Sequence, residues 1–255
     1  MTASPTTAPP AGARPNNLIG LAVLALWLAS GVALVAGYSP GPLTCAFVVL
    51  GWVLAVMAHE FAHAATAYLA GDYTIVEKGY LSFDPRRYGD LRTSLLIPLI
   101  ALALGGVGFP GGAVYLRNDL MRGPLWRAAA SLAGPAATLL VLVVLALWLK
   151  LLDTAGRFES ALAFLAYLQA TALILNLLPI PGLDGFNALR PFLPKRWSPA
   201  LDRLQGVVMI GLLVVVFYVP AAGHALFATA SKITEAVGVP TWEWVSGYEA
   251  FHFWR

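Results

Sequence analysis

Six apolar stretches divide the chain, at residues 18–38, 46–70, 95–109, 125–149, 160–181 and 206–228, and polar loops at 71–92, 110–124, 150–159 and 183–204 separate them. A bilayer hydrocarbon core takes about 20 helical residues, and five of the six stretches reach that length. The stretch at 95–109 is shorter and holds Pro98, Gly105, Gly106 and Gly108, which suits a re-entrant segment buried in protein. Residues 1–17 are rich in Pro, Ala and Thr, form no core, and read as a disordered tail. The run from Leu18 is too long for a secretory signal and no small-residue cleavage site follows it, so it reads as a retained span. Thr74–Phe83 places β-branched and aromatic residues on both sides of Lys78-Gly79, the pattern of a β-hairpin, with a third strand at 112–116. Pro240–Arg255 has the aromatic density of a membrane interface. The pattern predicts an all-α integral membrane protein of five to six transmembrane helices, with a small membrane-associated β-hairpin and a short re-entrant segment. Its divisions are the tail at 1–17, a polytopic domain at 18–230 and an aromatic-rich interfacial tail at 231–255.

Composition sharpens this. Only 11% of the 255 residues are charged, against about 25% in soluble domains, while 59% are hydrophobic and the mean hydropathy is +0.74. A soluble enzyme is excluded, because so few polar side chains cannot cover so much apolar surface. Extensive disorder is excluded for the same reason. A net charge of +3 with scattered carriers gives no footprint for nucleic acid. The one cysteine, Cys45, allows no internal disulfide and no cysteine-based zinc finger, so a metal would need His and carboxylate ligands.

Ionisable groups are costly inside spans, and the second stretch holds three together: His59, Glu60 and His63. On a helix His59 and His63, at i and i+4, share one face with Glu60 flanking them. This is the HExxH zinc arrangement, in which two imidazoles coordinate the metal and the glutamate reaches its water. The other reading is a metal-free buried polar cluster; each such group costs about 2.5 kcal/mol or more unless paired or ligated, which favours ligation. A zinc with an open position needs a third protein ligand. Asp184 follows the Pro179-Ile180-Pro181-Gly182 break. Alone it would be a turn or cap, and beside the first motif it reads as that ligand. His224 and His252 are isolated and read as interface residues. Gln169 and Thr171 lie within two turns of Asn176, either to orient a ligand imidazole or to pack between helices.

Taken together, His59-Glu60-x-x-His63 inside one span and Asn176-x-x-Pro179-x-x-x-Leu183-Asp184-Gly185 at the end of a later one resemble the signature motifs of the site-2 protease family of intramembrane zinc metalloproteases. The similarity takes in Ala133-Gly134-Pro135 and covers roughly residues 50–195. It implies one zinc ion per chain held by His59, His63 and Asp184, with Glu60 as catalytic acid/base and Asn176 at the active site, touching substrate or the tetrahedral intermediate. One position departs: family members often carry Asn three residues after the Gly-Pro proline, where this chain has Thr138. There is no room for PDZ or CBS domains, so substrate choice would rest on the membrane core or a separate adaptor. The implied activity is hydrolysis of a peptide bond in or near the transmembrane segment of a membrane-anchored substrate, such as a transcription regulator. The hairpin at 74–83 would capture the unwound substrate by strand addition. A metal-ion or solute transporter is the first rival, and it predicts further polar residues continuing across the bilayer; the 125–149 stretch carries an ionisable residue only at its start, Arg127. A non-catalytic membrane scaffold is the second, and it predicts loss of Glu60 or a ligand.

Parity decides the topology. If 95–109 crossed the bilayer, the second and fifth stretches would run in opposite directions and the two motifs could not share one zinc. If it is re-entrant, with the N-terminus inside, 12 of the 16 Lys and Arg lie inside and only Lys150, Arg157, Lys232 and Arg255 outside. Six full spans divide the same 16 residues into 9 and 7. The positive-inside rule therefore selects the re-entrant arrangement. This places the protein in the plasma (inner) membrane with the active site toward the cytoplasm.

Overall fold

The computed structural model describes residues 17–38, 40–87, 97–105, 107–108, 115–152, 156–194 and 198–255. The helices are α1 (Leu18–Val35), α2 (Pro40–Ala70), α3 (Thr74–Lys78), α4 (Ile97–Gly105), α5 (Pro124–Leu152), α6 (Arg157–Leu177), α7 (Asp184–Leu189), α8 (Ser198–Tyr218), α9 (Pro220–Ala236) and α10 (Thr241–Phe251), with no strand among the described residues. Helices α1, α2, α5 and α6 are each long and apolar enough to cross a membrane. The stretch at 206–228, expected to be one span, breaks at Val219, whose extended backbone precedes Pro220. Proline disfavours a helical residue before it and supplies no N–H, so α8 and α9 meet at 85° and make a fifth candidate span only as a bent pair.

Helix α6 is central and buried along nearly its whole length, with α2, α5, α9 and α10 packed around it. In lipid, apolar helices gain little from leaving their solvent, so small residues that allow close approach decide which faces meet. Gly51 on α2 leaves space for Leu165 and Trp27, and Gly247 on α10 lies against the Ser160 carbonyl and Phe164 of α6. Tyr167 and Trp244 stack with centroids 3.9 Å apart beside this contact.

The expected hairpin at 74–83 is not formed. The Asp72 carboxylate accepts from the Thr74 amide at 3.2 Å and the Thr74 hydroxyl at 2.6 Å, which starts a single helical turn, α3. Gly79, at φ +71°, closes it in the left-handed conformation. Ile75 is fully buried under α2. The β-branched run Thr74-Ile75-Val76 meets no strand among the described residues, and the turn started by the Asp72 hydrogen bonds wins over its strand preference. The expected strand at 112–116 lies largely outside the described residues, and its last two, Tyr115 and Leu116, are not in a strand.

The same region settles how the chain is threaded. Asp72 Oδ2 accepts from the Arg117 amide at 2.8 Å, Lys78 Nζ donates to the Tyr115 carbonyl at 2.6 Å, and the Arg122 amide donates to the Ala70 carbonyl at 3.0 Å. The chain therefore leaves α2 and enters α5 at one end of the bundle, and α4 lies between. Its 9 residues rise about 14 Å, too little to cross a bilayer. At the opposite end Arg157 Nη1 donates to the Gly37 carbonyl at 3.2 Å, tying the start of α6 to the α1–α2 turn. Helices α2 and α6 consequently run parallel, as the zinc-sharing argument requires.

Candidate metal centre

His59, Glu60 and His63 lie on α2 about two turns before its end, and all three are buried. Asp184 arrives from beyond the end of α6. Pro179 forces Leu178 into an extended conformation and stops α6 at Leu177. Gly182, at φ +104°, turns the chain back, and Asp184 opens α7 with its carboxylate toward α2. The next residue, Gly185, packs directly on the Leu177 and Leu178 carbonyls, where a side chain would not fit. Asn176 is buried in the last turn of α6, one residue before this contact.

The three donors converge. His59 Nε2 lies 3.0 Å from His63 Nε2 and 3.1 Å from Asp184 Oδ2, and His63 Nε2 lies 3.4 Å from Asp184 Oδ1. Zinc bonds of about 2.0–2.1 Å at tetrahedral angles would separate ligand atoms by roughly 3.3–3.4 Å. The observed spacings fit that edge length, and two imidazoles with one carboxylate form a donor set that leaves a fourth position for water or substrate.

Helix α5 holds the imidazoles from behind although it supplies none of the three donors. Residues 130, 134 and 138, spaced by four, form one ridge of that helix. The Ala130 carbonyl is 2.7 Å from His63 Nδ1. A carbonyl only accepts, so Nδ1 carries the proton and the His63 Nε2 lone pair faces the centre. Pro135 lies inside α5 and has no N–H, which loosens the helix in the turn after Ala130. Thr138 Oγ1 is 2.9 Å from His59 Nδ1. Between them Gly134 presents bare backbone to both Nε2 atoms, and a Cβ there would collide with each.

The structure thus brings together His59, His63 and Asp184, predicted from sequence as a set, with Glu60 beside them on α2. Of the two alternatives for Gln169 and Thr171, the structure favours packing between helices over orienting an imidazole: the Thr171 hydroxyl accepts the Gly108 amide at 2.9 Å and donates to the Leu168 carbonyl, and Gln169 Nε2 has no hydrogen-bond partner. The positioning contacts come from Ala130 and Thr138. Thr138 stood out in the sequence only as a departure from a pattern, Gly134 only as part of a quoted string. Nothing in the sequence marks the Ala130 carbonyl, which is main chain. His252 donates from Nδ1 to its own helix at Tyr248, far from the centre.

Comparison with known proteins gives close relatives. The chain is 38% identical over 252 residues to "Putative zinc metalloprotease Rip2" of Mycolicibacterium smegmatis, covering 94% of this chain and 95% of that protein. The protein of the same name from Mycobacterium tuberculosis is 38% identical over 248 residues with the same coverage. "Putative zinc metalloprotease YwhC" of Bacillus subtilis is 27% identical over 191 residues, 71% of this chain and 84% of that protein. No family model and no solved structure matches.

Proposed function

The chain belongs to the site-2 protease family of zinc metalloproteases, and from that premise we propose that it hydrolyses a peptide bond in or near the transmembrane segment of a membrane-anchored protein. One zinc ion is held by His59, His63 and Asp184. The observation that carries the reading is the convergence of donors from α2 and α7, with both Nδ1 atoms hydrogen-bonded on the far side, next to a buried carboxylate on the same helix as the imidazoles. When bound, zinc acts as a Lewis acid on the scissile carbonyl and makes water nucleophilic near neutral pH.

Glu60 follows His59 directly and is buried beside it. Its carboxylate takes the proton of the attacking water and delivers it to the leaving amine, the two transfers that amide hydrolysis requires. Asn176, in the last turn of α6, donates its side-chain amide to the substrate backbone. Substrate carbonyls in a helix are already bonded and shielded, so the segment to be cut is presented unwound. The bundle end that holds Asp72, Lys78 and Arg117 faces the cytoplasm of the plasma membrane, and the centre opens toward it. A membrane-anchored regulator freed into the cytoplasm is the substrate class that this orientation suits, with an adaptor or the membrane core selecting it.

The test uses full-length protein purified in detergent, its bound metal measured and its cleavage of a transmembrane reporter followed. Glu60→Gln should keep wild-type zinc and lose turnover by at least about 10²-fold, because an amide neither accepts nor passes on the proton. Asp184→Ala should lose zinc itself. Substantial cleavage by Glu60→Gln, or undiminished zinc in Asp184→Ala, refutes the assignment.

A further inference from the structure

Helices α1 and α5 both pack against α2, and between them they leave an apolar groove of about 580 Å³. Leu24 and Trp27 of α1, Ala55 of α2, and Val144 and Trp148 of α5 line it. Asn17 and Phe83 stand at one end, where the Phe83 amide donates to Asn17 Oδ1 at 3.1 Å. At the other end Trp27 and Trp148 meet edge to face, with centroids 5.9 Å apart. Beyond that pair a second apolar cleft of about 300 Å³ continues along the same two helices, past Leu28 and Val35 to Leu152. We propose that the first groove holds one acyl chain of an anionic phospholipid from the leaflet at the N-terminal end of α1, the inner leaflet in the orientation proposed above.

Length decides the occupant. Trp27 stands at the middle of α1 (Leu18–Val35), and the stretch from Leu18 to Trp27 rises about 14 Å. Half of a hydrocarbon core of about 30 Å is about 15 Å, so the groove is one leaflet long. A transmembrane helix needs the whole thickness and a channel about 10–12 Å across, and the Trp27–Trp148 pair lies across its path. A flexible chain entering from one leaflet ends where that pair begins. The mouth supplies the charge. Asp84 follows Phe83 with its side chain buried, whereas the side chains of Arg86 and Arg87, with nitrogens 2.9 and 3.9 Å from Asp84 Oδ2, are exposed. Two cations against one carboxylate leave a positive charge beside the mouth, and the lipid phosphate lies there.

The experiment uses full-length protein stripped of lipid in detergent and titrated with dioleoyl phosphatidylglycerol or dioleoyl phosphatidylcholine, with bound lipid counted by native mass spectrometry. Wild type should bind one phosphatidylglycerol more tightly than any further lipid. Val144→Trp and Leu24→Trp fill the groove from opposite walls, and each should lose that lipid. Both positions are exposed, so the larger side chain extends into the groove without displacing the core. Val207→Trp, at an exposed position of α8, should keep the lipid, and thermal unfolding checks that all three variants are folded. Arg87→Gln should bind phosphatidylglycerol about five-fold more weakly, the effect of one basic residue at a lipid surface, with phosphatidylcholine binding unchanged. Wild type that retains no lipid tightly, or binds the two lipids alike, overturns the proposal, as does undiminished retention in both groove variants. Displacement of the lipid by a transmembrane reporter segment that both tryptophans also exclude would assign the groove to substrate instead.

Discussion

Replacing Gly134 with alanine perturbs the centre without touching a ligand. A Cβ at residue 134 would lie 2.5 Å from His59 Nε2 and nearer still to His63 Nε2. Ordinary contact is about 3.4 Å or more, so each ring must retreat by roughly 1 Å. Neither can do so freely, because their Nδ1 atoms are held by Thr138 and Ala130 of the same helix that carries the new methyl. Moving α5 away as a body would instead separate buried Leu142 and Leu145 from the core. Overpacking of this kind costs about 1–3 kcal/mol. The larger effect is on geometry, since metal ligation tolerates about 0.2 Å and a 1 Å misplacement costs about 10² in rate. Zinc per chain and reporter cleavage by Gly134→Ala are the assay, with Gly211→Ala as control: Gly211 faces open space on α8, and alanine in a helix is about 1 kcal/mol better than glycine. Wild-type zinc content together with turnover within a few-fold of wild type in Gly134→Ala would refute the argument that α5 sets the imidazole positions.

Two further outcomes follow from the bundle ends. Asp72→Ala removes a buried carboxylate that accepts from the Thr74 amide, the Thr74 hydroxyl and the Arg117 amide; it should destabilise that end by roughly 2–4 kcal/mol and speed proteolysis between residues 115 and 122, and unchanged proteolysis would show that the cluster does not hold the loop. In a Cys45→Ala background, a cysteine at Asn118 should resist an impermeant thiol reagent added to intact cells and one at Tyr38 should react, both positions being exposed; labelling of Asn118 from outside would mean that the chain crosses the bilayer between α2 and α5.

The helices were legible because their apolar runs are long and the ionisable residues within them few. The cluster of His59, Glu60 and His63 was legible for the same reason; Asp184, in a polar loop, was legible only beside that cluster, and the parity argument reached the parallel course of α2 and α6 from chain direction, the need to share one metal, and charge. Local conformation was less so. Thr74-Ile75-Val76 carries a strand preference, but the Asp72 side chain two residues before Thr74 supplies a competing bond to the backbone, and no strand among the described residues lies beside the run to offset it. Pro220 breaks an apolar run whose hydropathy is continuous, since hydropathy does not register a missing N–H. The contacts behind the imidazoles were hidden for another reason: one acceptor is a carbonyl, and the site for the rings is made by a side chain that is absent.

That absence explains why the centre depends on a helix that contributes no ligand. HExxH on α2 places two imidazoles on one face, but leaves each ring free to turn and to choose which nitrogen holds its proton. The ridge Ala130-Gly134-Thr138 limits that freedom, with an oxygen at each end in hydrogen-bond contact with an Nδ1 and, in the middle, a glycine that leaves room for the two Nε2 atoms. Glycine at 134 and a hydroxyl at 138 are therefore requirements of the same kind as the ligands: a ligand exchange alters the donor set, whereas a change on the ridge leaves all three donors present and unable to face one ion.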